Sequence, residues 1–160
     1  MASPPNVGVD FDDLPGDPKA RHEVLVGVFG AYLMWARKVA LDTTRQRVES
    51  EDERRKLGNL FRVCYEDIAS FQPADREKAY QLAEAAIASF AKIMLTMISG
   101  EGYEEKMGPD YVFRYKLIME ICRMGDDRLV MEEIINRNGK RFFPEYWGRW
   151  LNQSEGQSGR

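Results

Sequence analysis

At 160 residues the chain is long enough to bury one proper core without disulfides or metal staples, and a single domain is expected. Its 23 Lys and Arg against 26 Asp and Glu leave a net charge of −3, which argues against a general appetite for nucleic acid or anionic membrane. One histidine and two separated cysteines exclude the paired spacings of zinc sites and leave little for nucleophilic triads.

Residues 1–16, rich in Pro, Gly and Asp without a basic residue, read as a flexible acidic leader. Within it, Val7-Gly8-Val9 followed by Asp10-Phe11-Asp12-Asp13 resembles the opening of phosphoaspartyl phosphatases. Nothing downstream alternates strand and helix as such a chain requires, so a solvated acidic tail is the preferred reading. Asp17-Pro18 then starts a helix, with Asp as N-cap and Pro at the first helical position. Val24, Val28, Ala31, Trp35 and Val39 recur at helical spacing, and Leu25, Phe29, Tyr32 and Ala36 widen the stripe enough to imply burial on more than one side. Thr43-Thr44 is expected to end or bend this helix, giving a first long helix over 18–42.

Ser50-Glu51-Asp52-Glu53 is a capping box that opens a second helix over 51–71. Leu57, Leu60, Phe61, Cys64, Tyr65, Ile68 and Phe71 give it the cleanest amphipathic pattern in the chain. Gln72-Pro73 restarts the chain into a third long helix, 73–99, whose main face carries Tyr80, Ala83, Ile87, Phe90, Met94 and Met97. Cys64 and Cys122 sit among apolar residues and are expected to be buried, reduced and inert. The longest uncharged apolar run, Val24 to Ala36, is too short to span a bilayer, and Leu82 to Ile98 is interrupted by Glu84 and Lys92. A cytoplasmic protein without a membrane partner is the expectation.

Residues 111–124 carry two competing patterns. Phe113, Tyr115, Leu117, Met119 and Ile121 alternate as in a strand, while Tyr111, Tyr115, Ile118 and Cys122 share one helical face. The helical reading is preferred, with Gly125 as its stop and Asp126 capping a further helix over 128–137. The fold class expected is therefore all-α: an antiparallel bundle of three long helices with a C-terminal cap of shorter ones, in one domain over 17–151, followed by a disordered tail at 152–160. The alternative is α+β, with 111–143 as a small hairpin packed on the bundle.

The stretch Lys140 to Trp150 concentrates five aromatic residues. Pro144 to Leu151, read as a helix, places Tyr146, Trp147, Trp150 and Leu151 on one side, as a terminal lid on a core would. The competing use of Phe142, Phe143, Tyr146, Trp147 and Trp150 is a partner-binding patch. A cationic group, Arg37, Lys38, Arg54, Arg55 and Lys56, is the candidate phosphate- or acid-binding surface, diluted by neighbouring carboxylates. No catalytic, metal or cofactor signature stands out. The carboxylates Glu101, Glu104, Glu105 and Asp110 match no EF-hand spacing, and Glu132-Glu133 lacks the helical partners of a di-iron site. The function expected is a non-enzymatic interaction module of inhibitor, immunity or adaptor type, binding another protein or itself. Alternatives are nucleic-acid binding through 37–62 and, more remotely, a carboxylate-metal hydrolase.

Overall fold

A computed structural model of the chain describes residues 3–99, 105–106, 112–113, 115–137, 141 and 143–158. It is mostly helical, with small antiparallel strand pairs. The elements run α1 (Pro18–Glu49), α2 (Glu51–Arg55), α3 (Asn59–Ala69), α4 (Pro73–Ser99), β1 (Glu105–Lys106), β2 (Val112–Phe113), β3 (Ile118–Cys122), β4 (Leu129–Ile134) and α5 (Glu145–Ser158). The chain divides into two compact units. One is Trp35–Phe90; the other combines Pro4–Met34 with Ala91–Arg160.

Local chemistry explains the helix ends. The Asp17 carboxylate accepts from Ala20 N–H at 2.8 Å and caps α1. The expected stop at Thr43-Thr44 does not occur. Thr44 Oγ1 donates to Ala40 O at 2.9 Å within the helix, so the hydroxyl is satisfied in place and α1 continues to Glu49. The Ser50 hydroxyl accepts from Glu53 N–H at 3.4 Å, but the helix it opens is only five residues long. Gly58 is extended, at φ −62° and ψ 152°, so the expected 51–71 helix is interrupted and restarts at Asn59. Arg54 turns back and donates to the carbonyls of Arg47 (3.2 Å) and Val48, capping the end of α1.

In the Trp35–Phe90 unit, α1 and α4 exchange Arg37–Glu84 and Arg45–Glu77 ion pairs, the latter at 3.3 Å. Residue numbers rise on one helix as they fall on the other. The Arg45 guanidinium lies 4.6 Å from the Tyr80 ring centre, and Tyr80 donates to Glu49 at 3.4 Å. Burial, then the Glu49 charge, raises the Tyr80 phenol above its ordinary range.

The core of the other unit is built from the first half of α1, the end of α4, β4's exit and α5. Leu25, Val26, Val28, Met34, Leu95, Ile135, Phe143, Tyr146, Trp147 and Trp150 are all buried there. Phe29, Phe143, Tyr146 and Trp150 form one ring cluster with centroids 5.7–6.4 Å apart, including a stacked Tyr146–Trp150 pair and edge-on Phe29–Trp150 and Phe143–Trp150 pairs. The Trp150 indole lies so close to Gly30 that a methyl group at that position would overlap it, whereas Gly27 faces open space. Opposite outcomes are expected from the same substitution. Gly27→Ala gains up to about 1 kcal/mol of helix propensity. Gly30→Ala loses about 1–3 kcal/mol through overpacking. Chemical denaturation of the two variants compares them directly.

Residues 118–134 correct the helical reading. β3 and β4 pair antiparallel with Ile118 opposite Ile134, Met119 opposite Glu133, Glu120 opposite Glu132 and Ile121 opposite Met131, and a bulge follows Ile121. Met119 and Ile121 are partly covered while Ile118, Glu120 and Cys122 are exposed, so the period of two prevails over the period of 3.6. Gly125 (φ 113°) and Asp127 (φ 51°) supply the left-handed backbone that a connection between strands requires, in place of a helix stop and cap. Arg123 N–H donates to Arg128 O at 2.9 Å across that turn. The α+β alternative therefore describes this segment. Asn138-Gly139, whose sequence would end a helix over 128–137 or make a two-residue hairpin turn between strands, lies outside the described residues. α5 extends to Ser158, past the expected end at Leu151.

Candidate partner-binding surface

The aromatic residues near the C-terminus are core residues. Phe143, Tyr146, Trp147 and Trp150 are 2–7% exposed, so their packing leaves no patch for a partner; Phe142 lies outside the described residues. Tyr146 donates to Glu23 Oε1 at 2.6 Å. Burial first, and then the hydrogen bond to Glu23, push its phenol up to about 12 from 10.0. Folding thus favours the neutral phenol. The stabilisation is fully present below pH 10 and is lost as pH rises through about 12, a loss of about 1–3 kcal/mol. Tyr146→Phe is expected to lack this component when the alkaline unfolding of both proteins is compared by urea titration.

His22 is buried at 2% exposure, and its Nδ1 donates to Glu133 Oε1 at 2.9 Å. This joins α1 to β4 and assigns Glu133 a structural partner. Neither residue's chemistry as a pair was visible in the sequence, because 111 positions separate them. Among the described residues, no group of three or more His, Cys, Asp or Glu is placed to hold a metal ion. Glu101, Glu104 and Asp110 lie outside those residues.

The cationic candidates are drawn into local pairs. Arg37 pairs with Glu84, Arg54 caps the carbonyls of α1, and Arg55 pairs with Glu51 at 2.6 Å. Lys56 pairs with Glu53 at 2.5 Å, and that hydrogen bond and charge raise its ammonium above the ordinary lysine range. Lys38 is exposed on α1. Two of these five are on α1, two on α2 and one is α2's C-cap, the last three beside Glu51, Asp52 and Glu53.

The feature that stands out is apolar. The Trp35–Phe90 unit buries two apolar side chains, Val48 and Tyr80, yet exposes Leu60 (80%), Phe61 (66%), Val63 (51%), Phe71 (46%), Leu82 (72%) and Phe90 (66%). Helix α3 has no buried residue although its sequence is strongly amphipathic. Its Tyr65 side lies toward α1, where Arg47 sits 5.7 Å from the ring centre. The Leu60–Cys64 side, about 100° away around the helix, faces outward. Both cysteines are exposed, contrary to the expectation of burial. Monomeric soluble surfaces rarely leave so much apolar area open without a use. Periodicity revealed the α3 stripe; what it could not reveal is that Leu60, Phe61 and Cys64 on it stay exposed.

By length and composition, α1 and α4 could each cross a membrane, with 28% and 6% of the apolar stretch buried, respectively. No family model, curated protein or solved structure matches the chain.

Proposed function

We propose that the protein is a non-enzymatic interaction module, organised as an antiparallel helical bundle over 18–99, that binds another protein or itself through the apolar faces of α3 and α4. The observation that carries this reading is the imbalance in the Trp35–Phe90 unit, with two apolar side chains buried and six large ones exposed. A unit with so thin a core gains stability from whatever covers it, since anything that binds only the folded form shifts the folding equilibrium. An inhibitor, immunity or adaptor role fits a chain that offers surface in place of catalytic apparatus. The nucleic-acid alternative has less support, because most of its cations already hold a carboxylate or a carbonyl.

The α4 stripe provides the test. Leu82→Glu and Phe90→Glu alter exposed positions and are expected to move folding stability by no more than about 0.5 kcal/mol. Each removes an anchor whose burial in a complex is worth about 1.5–3 kcal/mol, so partner affinity should fall at least about tenfold. Affinity purification of wild type and variants from the native cell measures this. Equal recovery of the same partner by all three proteins would refute the assignment of the face.

A further inference from the structure

We infer that residues 5–14 occupy a peptide-binding groove as its internal ligand, a removable strap that a partner protein's segment of the same pattern replaces. The inference does not depend on the α3 and α4 faces. In this stretch the apolar residues Pro5, Val7, Val9 and Phe11 are half-buried, while Asn6, Gly8, Asp10, Asp12 and Asp13 are exposed. Apolar side chains on a segment with no neighbours would be open whichever way they pointed. Alternate cover from Pro5 to Phe11 therefore means that one side of the segment lies against the protein and the other faces water. The segment belongs to the compact unit that it shares with the first half of α1 and Ala91–Arg160.

Side chains alone hold the segment in place. Gly8 N–H donates to Asn6 Oδ1 at 3.0 Å, Asp12 N–H to Asp10 Oδ1 at 3.0 Å and Asp13 N–H to Asp10 O at 3.3 Å, all inside the segment. Among the described residues its backbone makes no hydrogen bond to another element; the nearest tie is Arg21, which donates to Pro15 O at 3.5 Å. A strand pulled from a sheet leaves unpaired ladder groups behind, whereas this segment gives up apolar contact and its backbone passes into water without loss. That is the condition for exchange with a competing segment. The Gly8 backbone limits which segments fit. Its φ of 61° lies in the left-handed region, and a Cβ there would meet nothing within 4 Å. A side chain at this position is disfavoured by backbone conformation alone, without crowding. The groove thus takes a segment with apolar side chains at every second position and a glycine between the second and the third.

The probe is a fluorescein-labelled synthetic peptide of residues 5–14. Its anisotropy is titrated against the full wild-type chain and against the full chain carrying Val9→Asp and Phe11→Asp, which releases the strap. A tethered segment competes at an effective concentration on the order of millimolar, so the peptide should bind the released chain at least about tenfold more tightly than wild type. Proteinase K should cut within 5–14 at least about tenfold faster in the released chain, with circular dichroism unchanged. Gly8→Ala in the peptide should weaken binding about fivefold or more, because left-handed backbone is costly for an L residue. D-alanine at the same position, for which that backbone is favourable, should bind as well as glycine. Equal affinity of the peptide for both chains, or none for either, overturns the inference. So does a released chain that unfolds, since residues 5–14 would then be part of the core. Equal affinity of the L- and D-alanine peptides would mean adhesion without a shaped site, and overturns it as well.

Discussion

Trp150→Ala is expected to lower stability by about 3–5 kcal/mol. Trp150 is 3% exposed, stacks on Tyr146, meets Phe29 and Phe143 edge-on, and fills the space above Gly30. Its removal leaves a cavity bordered by three rings and a helix backbone, and a helical glycine has no side chain with which to refill it. The loss should appear as a reduced urea midpoint. Tyr146, whose stacking partner disappears, should report the same event through weakened near-ultraviolet dichroism. Trp150→Phe keeps an aromatic ring and should recover a good part of the loss. A midpoint unchanged by Trp150→Ala would show that α5 does not close this core.

Asn136→Ala should cost nearly as much, about 2–4 kcal/mol, for a different reason. Asn136 is 6% exposed and makes three hydrogen bonds to backbone. Its amide donates to Ile98 O and to Tyr115 O (3.2 Å), and its Oδ1 accepts from Leu117 N–H at 2.8 Å. One side chain thereby ties the end of α4 to the approach to β3. Alanine leaves the Leu117 N–H and the Ile98 carbonyl without this partner, each at a desolvation cost of about 1–3 kcal/mol that entering water partly offsets, while Tyr115 O still accepts from Arg137 at 3.1 Å. Amide hydrogen exchange should place the damage at Leu117 and along β3, while the Trp35–Phe90 unit keeps its protection. Asn136→Asp keeps the acceptor for Leu117 N–H but turns a carboxylate oxygen toward the Ile98 and Tyr115 carbonyls in a buried site, and is expected to cost at least as much as Ala.

Much of the fold was legible where a helix end is written in local chemistry. Asp17-Pro18 and Gln72-Pro73 mark the starts of α1 and α4, because a capping carboxylate and a proline at the first turn act through neighbours only. Ser99 before Gly100 marks the end of α4 in the same way. Legibility failed where two periods coincided. Over 111–124 an alternating pattern and a helical face can both be drawn, and the pairing with 129–134 that decides between them is not a local property.

The candidate surface was half legible. The stripe Leu60, Phe61, Cys64, Ile68, Phe71 is plain in the sequence, but a stripe says only that something covers it. Whether that is the chain's own core depends on how many apolar faces compete for the same interior. Here Leu25, Ile135 and Trp150 are buried, whereas no residue of α3 is. The aromatic cluster near the C-terminus is the converse case: a composition typical of interfaces, used for packing. The His22–Glu133 pair was beyond reach, since neither residue's neighbours hint at the other.

The opposition of Glu120 and Glu132 on the open side of the hairpin has a consequence for how the protein behaves when crowded. Ile118, Leu129 and Val130 make that hairpin greasy, and among the described residues no third strand pairs with it, an arrangement that invites another chain to add on. Two acids facing each other weaken the ribbon slightly. In return, a neighbouring ribbon stacking against the same side would have to bring four carboxylates together, which opposes such stacking.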